Sequence, residues 1–328
     1  MINVDRKWIM IDPTMVLDKG YPAPEINEPW TNNSFINNCR LLRAEKYHIL
    51  CPQLQETKAD AYLLISVIDN NLDEEIEFVK KVHKDGGKVV LAISADARYN
   101  TGIGLMCLKT GTVFTDLCDE VDAICSGVSN NLHIFGKNQY KVVEVGDFVE
   151  KLNFNIIPFE NRTIDILSTG FTDEASLSFS IILFLMLKEK YPEKRFVYAF
   201  RNTPQYDRIY DLVSKKYPQI EFTRKSMKEV LSISKCYVNL EPRPRGGRAL
   251  LEAWQYRVPF ISYNLTYYSK LFPDFTYSNI SFDFLLELYE KVLSSNYNDI
   301  IKKSEEIMEY DYADKVYERI INILDRKK

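Results

Sequence analysis

Histidine is scarce in this chain: His48, His83 and His133 are the only 3 in 328 residues, and they follow no spacing that a histidine triad or metal site uses. Cysteine shows no pattern either. Cys39, Cys51, Cys107, Cys118, Cys125 and Cys236 are scattered without a C-x-x-C pair, which argues against a zinc site or a disulfide framework and for reduced, mostly buried thiols. The longest apolar run, Ile181 to Leu187, falls far short of the roughly 20 residues that a membrane helix needs. The stretch from Met1 to Asp12 has too little apolar length for a signal peptide. Basic excess is absent too: 42 Lys and Arg stand against 46 Asp and Glu, a net charge of −4 that creates no global attraction for nucleic acid or anionic membrane. A local basic loop stays compatible with that balance. A phosphate-binding Gly-x4-Gly-Lys-Ser and a tight Gly-x-Gly-x-x-Gly are both missing; Gly102-Ile-Gly104 is a lone pair. No repeat of 20 to 50 residues or low-complexity tract is present. A soluble, cytoplasmic protein is the expectation.

What is present fits two globular domains. The chain is 46% hydrophobic and 27% charged, and its 328 residues suit two cores of about 150 residues each. Strand-like and helix-like stretches alternate. Trp8 to Ile11, Ala61 to Val67, Lys88 to Ser94, Val121 to Cys125 and Tyr140 to Val145 read as strands, with a helix from about Asp73 to Lys84 ended by Gly86-Gly87 and a short helix between the last two strands. The long Pro-, Gly- and Asn-rich stretch from Asp12 to Asn33 reads as a loop with a function. After a linker around Asn153 to Arg162 a second set opens: strands at Thr163 to Ser168, Arg195 to Phe200 and Ile220 to Thr223, and helices at Glu174 to Tyr191 and Ile209 to Lys216. The unbroken apolar middle of the first of these helices predicts burial on most sides. Ser226 with Glu229 three residues on has the form of a capping box. Phe282 to Asp325 reads as helical. Alternation of this kind specifies parallel α/β sheets, whose ligands sit at the carboxyl ends of the strands.

The most informative stretch runs from Lys235 to Tyr263. It reads as a buried strand (Cys236 to Leu240), a loop with Arg243, Arg245, Gly246 and Gly247, a helix from about Ala249 to Tyr256 with Arg248 at its entry, and a strand opening at Pro259. Paired glycines allow a tight turn close to a ligand, and the helix presents free N–H groups and partial positive charge, so the loop suits an anion such as phosphate. Each side chain has two readings. Glu252 is either a solvated carboxylate or an acceptor for two sugar hydroxyls. The arginines are either an exposed basic loop or partners of a diphosphate, Arg245 and Arg248 best placed beside the glycines. Asp96, following a strand, is either a turn cap or a group at a reacting centre; Arg98 and Tyr99 beside it are weaker candidates.

Leu251-Glu252-Ala253 followed by Val258-Pro259-Phe260-Ile261, with Gly247 before them, resembles the nucleotide-sugar site of GT-B glycosyltransferases, above all the large, mostly retaining group. Gly87 to Asp96 resembles the strand that in such proteins ends near the reacting sugar, and Val121 to Ser126 a later strand of the same domain. The resemblance implies an α/β GT-B fold of two Rossmann-like domains: an acceptor domain over residues 1–155, a donor domain over 156–309, and a terminal helix over 310–328 crossing back to the first. It implies transfer from a UDP- or GDP-sugar, without a tightly bound cofactor or metal, to an acceptor hydroxyl with retention. Glu252 would hold the ribose; Arg245, Gly246, Gly247 and Arg248, with Gly170 and Arg201 after other strands, the diphosphate; Thr223 would lie near the base; Asp96 would face the reaction. Three departures stand out. Pro244 occupies the position of the family's first glutamate, Arg257 that of a glycine, and Gly170 to Ser178 lacks the usual Arg and Lys pair. A glycan is the expected acceptor, hydroxymethylated bases of phage DNA the alternative given the Lys-, Asn-, Ile- and Tyr-rich composition, and a non-catalytic binding or assembly module the third reading. The sequence leaves the oligomeric state open.

Overall fold

The computed structural model describes residues 8–11, 46–48, 61–66, 72–93, 106–126, 132–144, 155–169, 174–200, 204–240, 248–264, 266–311 and 313–325. The chain divides into two units, Met1–Lys151 with Glu309–Lys328, and Leu152–Met308.

In the first unit, runs of β-branched and other apolar residues form strands covered on both faces, as parallel sheets require. Val89, Val90 and Leu91 are all fully buried, and burying each such side chain stabilises by about 1.5–3 kcal/mol. The strands are β1 (Trp8–Ile11), β2 (Lys46–His48), β3 (Ala61–Ser66), β4 (Lys88–Ile93), β5 (Ala123–Ser126) and β6 (Val142–Glu144). They pair in parallel in the order β2-β1-β3-β4-β5-β6. Sequence reading did not find β2, whose three residues carry no apolar run; its strand form follows from pairing Ile9 with Lys46 through Ile11 with His48. Helix α1 (Leu72–Lys84) turns Val79 and Val82 into the core. It ends at Gly86, whose φ of +81° lets the Gly87 amide reach Val82 O and the Gly86 amide reach His83 O, both at 3.0 Å. A second helix, α2 (Phe114–Glu120), was also unread; it buries Phe114, Leu117 and Cys118. A 3₁₀ segment, Leu132–Lys141, leads to β6.

The second unit has strands β7 (Ile166–Thr169), β8 (Phe196–Ala199), β9 (Glu221–Thr223), β10 (Tyr237–Val238), β11 (Phe260–Tyr263) and β12 (Thr276–Tyr277). They also pair in parallel, in the order β12-β11-β10-β7-β8-β9. The chain moves outward from β7 to β9, then returns past β7 and continues the other way from β10. That reversal between β7 and β10 is the topological switch point of a doubly wound sheet, where the two connections leave on opposite faces and open a crevice at the carboxyl ends.

The α-helices described in this unit are α3 (Glu174–Lys190), α4 (Asp207–Lys216), α5 (Met227–Leu231), α6 (Arg248–Gln255), α7 (Phe282–Ser294) and α8 (Tyr297–Met308). The α3 helix buries Ile181, Leu183, Phe184 and Leu187, but Ile182 is 41% exposed, so one side of the apolar stretch faces out of the unit. The Ser226 side chain accepts from the Glu229 amide, and Glu229 accepts from the Ser226 amide at 2.8 Å, completing the expected capping box of α5. The terminal helix α9 (Ala313–Leu324) packs in the first unit, where Arg319 donates to the Glu144 carbonyl of β6 at 3.3 Å.

Candidate functional site

The switch point of the second unit positions the candidate site. Two connections leave it: one after Thr169, which closes β7, and one after Leu240, which follows β10 and feeds α6. This last helix is amphipathic for a physical reason visible in its burial. Leu250, Leu251, Ala253 and Trp254 are buried against the unit, whereas Ala249 and Glu252, three residues apart on one side, are half-buried. Glu252 therefore occupies the second helical turn, less covered than its neighbours on α6, with Gln255 and Tyr256 buried one turn on. Its charge is felt one turn on: burial pushes the Tyr256 phenol up, and the Glu252 carboxylate pushes it further.

Hydroxyls stitch the strand ends together beneath the connections. The Thr169 and Tyr237 hydroxyls lie 2.9 Å apart, both buried, tying the end of β7 to β10. Ser168 donates to the Val238 carbonyl at 2.9 Å across the same pair, and Tyr277 donates to the Asn239 carbonyl at 2.7 Å. Buried bonds of this type satisfy these hydroxyls and tie neighbouring strand ends to one another.

The far end of α6 is a Schellman motif. Val258 donates its amide to Ala253 O at 2.9 Å and Arg257 to Trp254 O at 2.7 Å, which requires the residue between to be left-handed. That residue is Arg257, with φ of +56° and no other non-glycine residue like it among the described ones. Glycine is the residue that this geometry favours, so the departure noted in the sequence has a structural meaning. Arg257 compensates with its side chain. The guanidinium lies 4.6 Å from the Trp254 ring and pairs with Glu305 at 2.6 Å, while the Trp254 indole donates to Ser304 at 3.0 Å. Both contacts join α6 to α8.

Of the residues singled out from sequence, Glu252 and Thr223 are described in full, and Arg248 is the first residue of α6. Asp96, Arg98, Tyr99, Gly170, Arg201, Arg243, Pro244, Arg245, Gly246 and Gly247 lie outside the described residues. Thr223 closes β9, buried, and accepts from the Lys225 amide at 3.2 Å. Strand order separates it from Glu252: β9 lies three strand spacings from β10, roughly 14 Å. Gly170 follows β7, the immediate neighbour of β10, and Arg201 follows β8, one strand further. Beside Thr223, Arg224 stacks 4.4 Å from the Tyr210 ring and pairs with Asp207 at 2.5 Å. Sequence reading missed this clamp, although Asp207 and Tyr210 share a helix face at i and i+3.

Charge at the opposite, amino-terminal edge of the sheet is structural. Asp165, just before β7, accepts from Lys235 at 3.1 Å and from the Arg195 amide at 2.9 Å. Cys118, Cys125 and Cys236 are free and buried; burial pushes the Cys125 thiol up to about 12 and raises that of Cys236 as well, so neither supplies a thiolate. No helix among the described residues is long and apolar enough to cross a membrane.

No family model matches the chain, and no curated protein matches it in sequence. Solved structures do. The chain is similar to a TarM variant from S. aureus in complex with fondaparinux, alpha-GlcNAc-glycerol and UDP, at 14% identity, TM-score 0.56, over 81% of this chain and 55% of that one. It is similar to the trehalose-6-phosphate synthase OtsA at 12% identity, TM-score 0.56, over 82% of this chain and 72% of that one. It is similar to an alpha-glucosyltransferase in complex with UDP and a 13-mer DNA containing an HMU base, at 12% identity, TM-score 0.53, over 86% and 85% of the two chains. The chain thus spans little more than half of the TarM chain. At these identities the likeness establishes the fold: the chain has the α/β GT-B fold of glycosyltransferases such as these.

Proposed function

We propose that this protein is a glycosyltransferase that moves a sugar from a nucleotide-diphosphate donor, a UDP-sugar in the first instance, to an acceptor hydroxyl. One observation carries the reading: Glu252 stands half-buried on the helix that follows β10, the strand beside β7 at the switch point of a doubly wound sheet, where ligands of such sheets bind. A carboxylate there suits two ribose hydroxyls, and the amino end of α6 suits the pyrophosphate. Gly246 and Gly247 let backbone amides approach the phosphates, with Arg245 and Arg248 adding charge as the leaving diphosphate becomes more negative. Gly170 and Arg201 complete the phosphate side, and Thr223 at the sheet's edge meets the base. Departure of the diphosphate breaks the bond from the anomeric carbon to oxygen; the acceptor oxygen forms the new one. In our reading the departing phosphate takes the acceptor proton, giving retention, and Asp96 positions the reacting sugar. The protein acts in the cytoplasm.

The acceptor we propose is a glycan, as fits a chain with a net charge of −4. A second reading, transfer to a modified base in DNA, is supported by one observation: the DNA-bound alpha-glucosyltransferase is matched over 85% of its own length, against 55% for TarM. Purified protein incubated with a panel of UDP- and GDP-sugars tests the activity. Release of nucleoside diphosphate by the wild type and its sharp fall at sub-saturating donor in Glu252→Ala are expected; absence of turnover and of any nucleotide-induced thermal shift would favour a non-catalytic module.

A further inference from the structure

We propose that Arg162, which precedes β7, is a positioning residue for the donor site and acts through Glu252. The inference rests on the donor reading above and deepens it. Arg162 is 2% exposed, yet its five N–H groups all find partners. Nε donates to Ile157 O at 3.1 Å; Nη1 donates to Ser234 O and to Arg257 O, each at 3.0 Å; Nη2 donates to Tyr256 O at 3.1 Å and to the Tyr297 phenol at 2.9 Å. Four of these acceptors are backbone carbonyls and the fifth a phenol. The Tyr297 hydroxyl in turn donates to Arg257 O at 2.7 Å, and its ring, 5.3 Å from the guanidinium, stacks on Phe159 with centroids 4.5 Å apart.

Burying a cation on carbonyls and a phenol, with no carboxylate hydrogen-bonded to it, is costly, and filling the same space with an apolar side chain is often neutral or better. The arrangement makes sense if orientation is what it supplies. Tyr256 and Arg257 form the cap of α6, so the guanidinium sits at the negative end of that helix dipole and holds the two carbonyls of the cap. The α6 helix has eight residues, about 12 Å of length, and Glu252 lies one turn, about 6 Å, before Tyr256. A helix this short turns as a unit. A small tilt at its anchored end moves the Glu252 carboxylate by an amount that breaks a pair of hydrogen bonds to a ribose.

The test is a double-mutant cycle on UDP affinity, measured by calorimetry on the full chain. Arg162→Lys keeps the charge but replaces a planar five-donor fork with three donors on one nitrogen. It is expected to weaken UDP about tenfold when Glu252 is present and less than twofold in a Glu252→Gln background. Tyr297→Phe, the milder change, removes one bond to Arg162 and one to Arg257 O; it should show the same dependence on Glu252 with a smaller effect, and it decides the matter if Arg162→Lys does not fold. Equal weakening in both backgrounds, or unchanged affinity in a folded Arg162→Lys protein, overturns the inference while leaving the donor site standing. UDP binding that ignores Glu252→Gln overturns the donor reading itself, and this inference with it.

Discussion

Glu252 is the residue on which the functional reading turns, and its expected contribution is bounded by chemistry. A carboxylate accepting two sugar hydroxyls makes charge-assisted bonds, and losing them costs about 2–3 kcal/mol net, so Glu252→Ala should raise the donor KM roughly 30- to 150-fold. Steady-state kinetics with the cognate sugar nucleotide measures this. Asp122 carries a different, purely structural expectation. Its side chain is 7% exposed, accepts from the Val89 amide at 2.9 Å and from Lys88 at 3.0 Å, and lies 2.8 Å from His83 Nε2. Burial alone would push this carboxyl up; the Val89, His83 and Lys88 contacts outweigh it and hold the group below the ordinary aspartate range. Because the folded value is the lower one, the stabilisation is present above the unfolded value of about 3.9 and is lost as pH falls through the folded value. Urea unfolding should show Asp122→Asn less stable than wild type by about 1–3 kcal/mol at pH 7. The gap should narrow near pH 3.

At the level of elements, α6 and α5 make opposite demands on their caps. Arg257 ends α6 in a left-handed conformation that costs roughly 1–2 kcal/mol in a residue with a Cβ, offset by its contacts with Trp254 and Glu305. Arg257→Gly removes both the strain and the contacts and should shift stability by less than about 1 kcal/mol. Arg257→Ala keeps the strain and loses the contacts, so it should melt below the glycine variant in a thermal scan, against the usual helix-propensity order. Ser226→Ala should cost α5 about 1 kcal/mol by removing the acceptor for the Glu229 amide. How legible such features were depends on range. The capping box was readable because Ser226 and Glu229 are three residues apart, and Ala61–Ser66 and Lys88–Ile93 because their apolar runs are local. Strand β2 was not, since Lys46–His48 is a strand only through its register on β1. The bonds from Arg162 to Tyr256 and Arg257 span more than 90 residues, beyond any local pattern. Near the candidate site, helix α6 could be read from the residues around Leu-Glu-Ala; the exposed side of α3 at Ile182 could not, because an apolar run does not say which face is covered.

For the molecule as a whole, the order of the second sheet gives the donor reading its physical basis. Six parallel strands whose order reverses between β7 and β10 make the carboxyl ends of those two strands the place for a ligand, and the helix that carries Glu252 follows β10 in the chain. The acceptor follows from charge. For a glycan acceptor, duplex DNA should not bind measurably at physiological salt; for a DNA acceptor, binding should appear at low salt and fall with a log–log slope of about −0.9 per phosphate contacted. Fluorescence anisotropy across a salt series with duplexes containing and lacking a hydroxymethylated base separates the two. The most direct measurement is a crystal structure of the protein with UDP. The expected result has the ribose hydroxyls within hydrogen-bond distance of the Glu252 carboxylate and the diphosphate at the amino end of α6. A nucleotide bound elsewhere, with Glu252 turned away from it, would contradict the account.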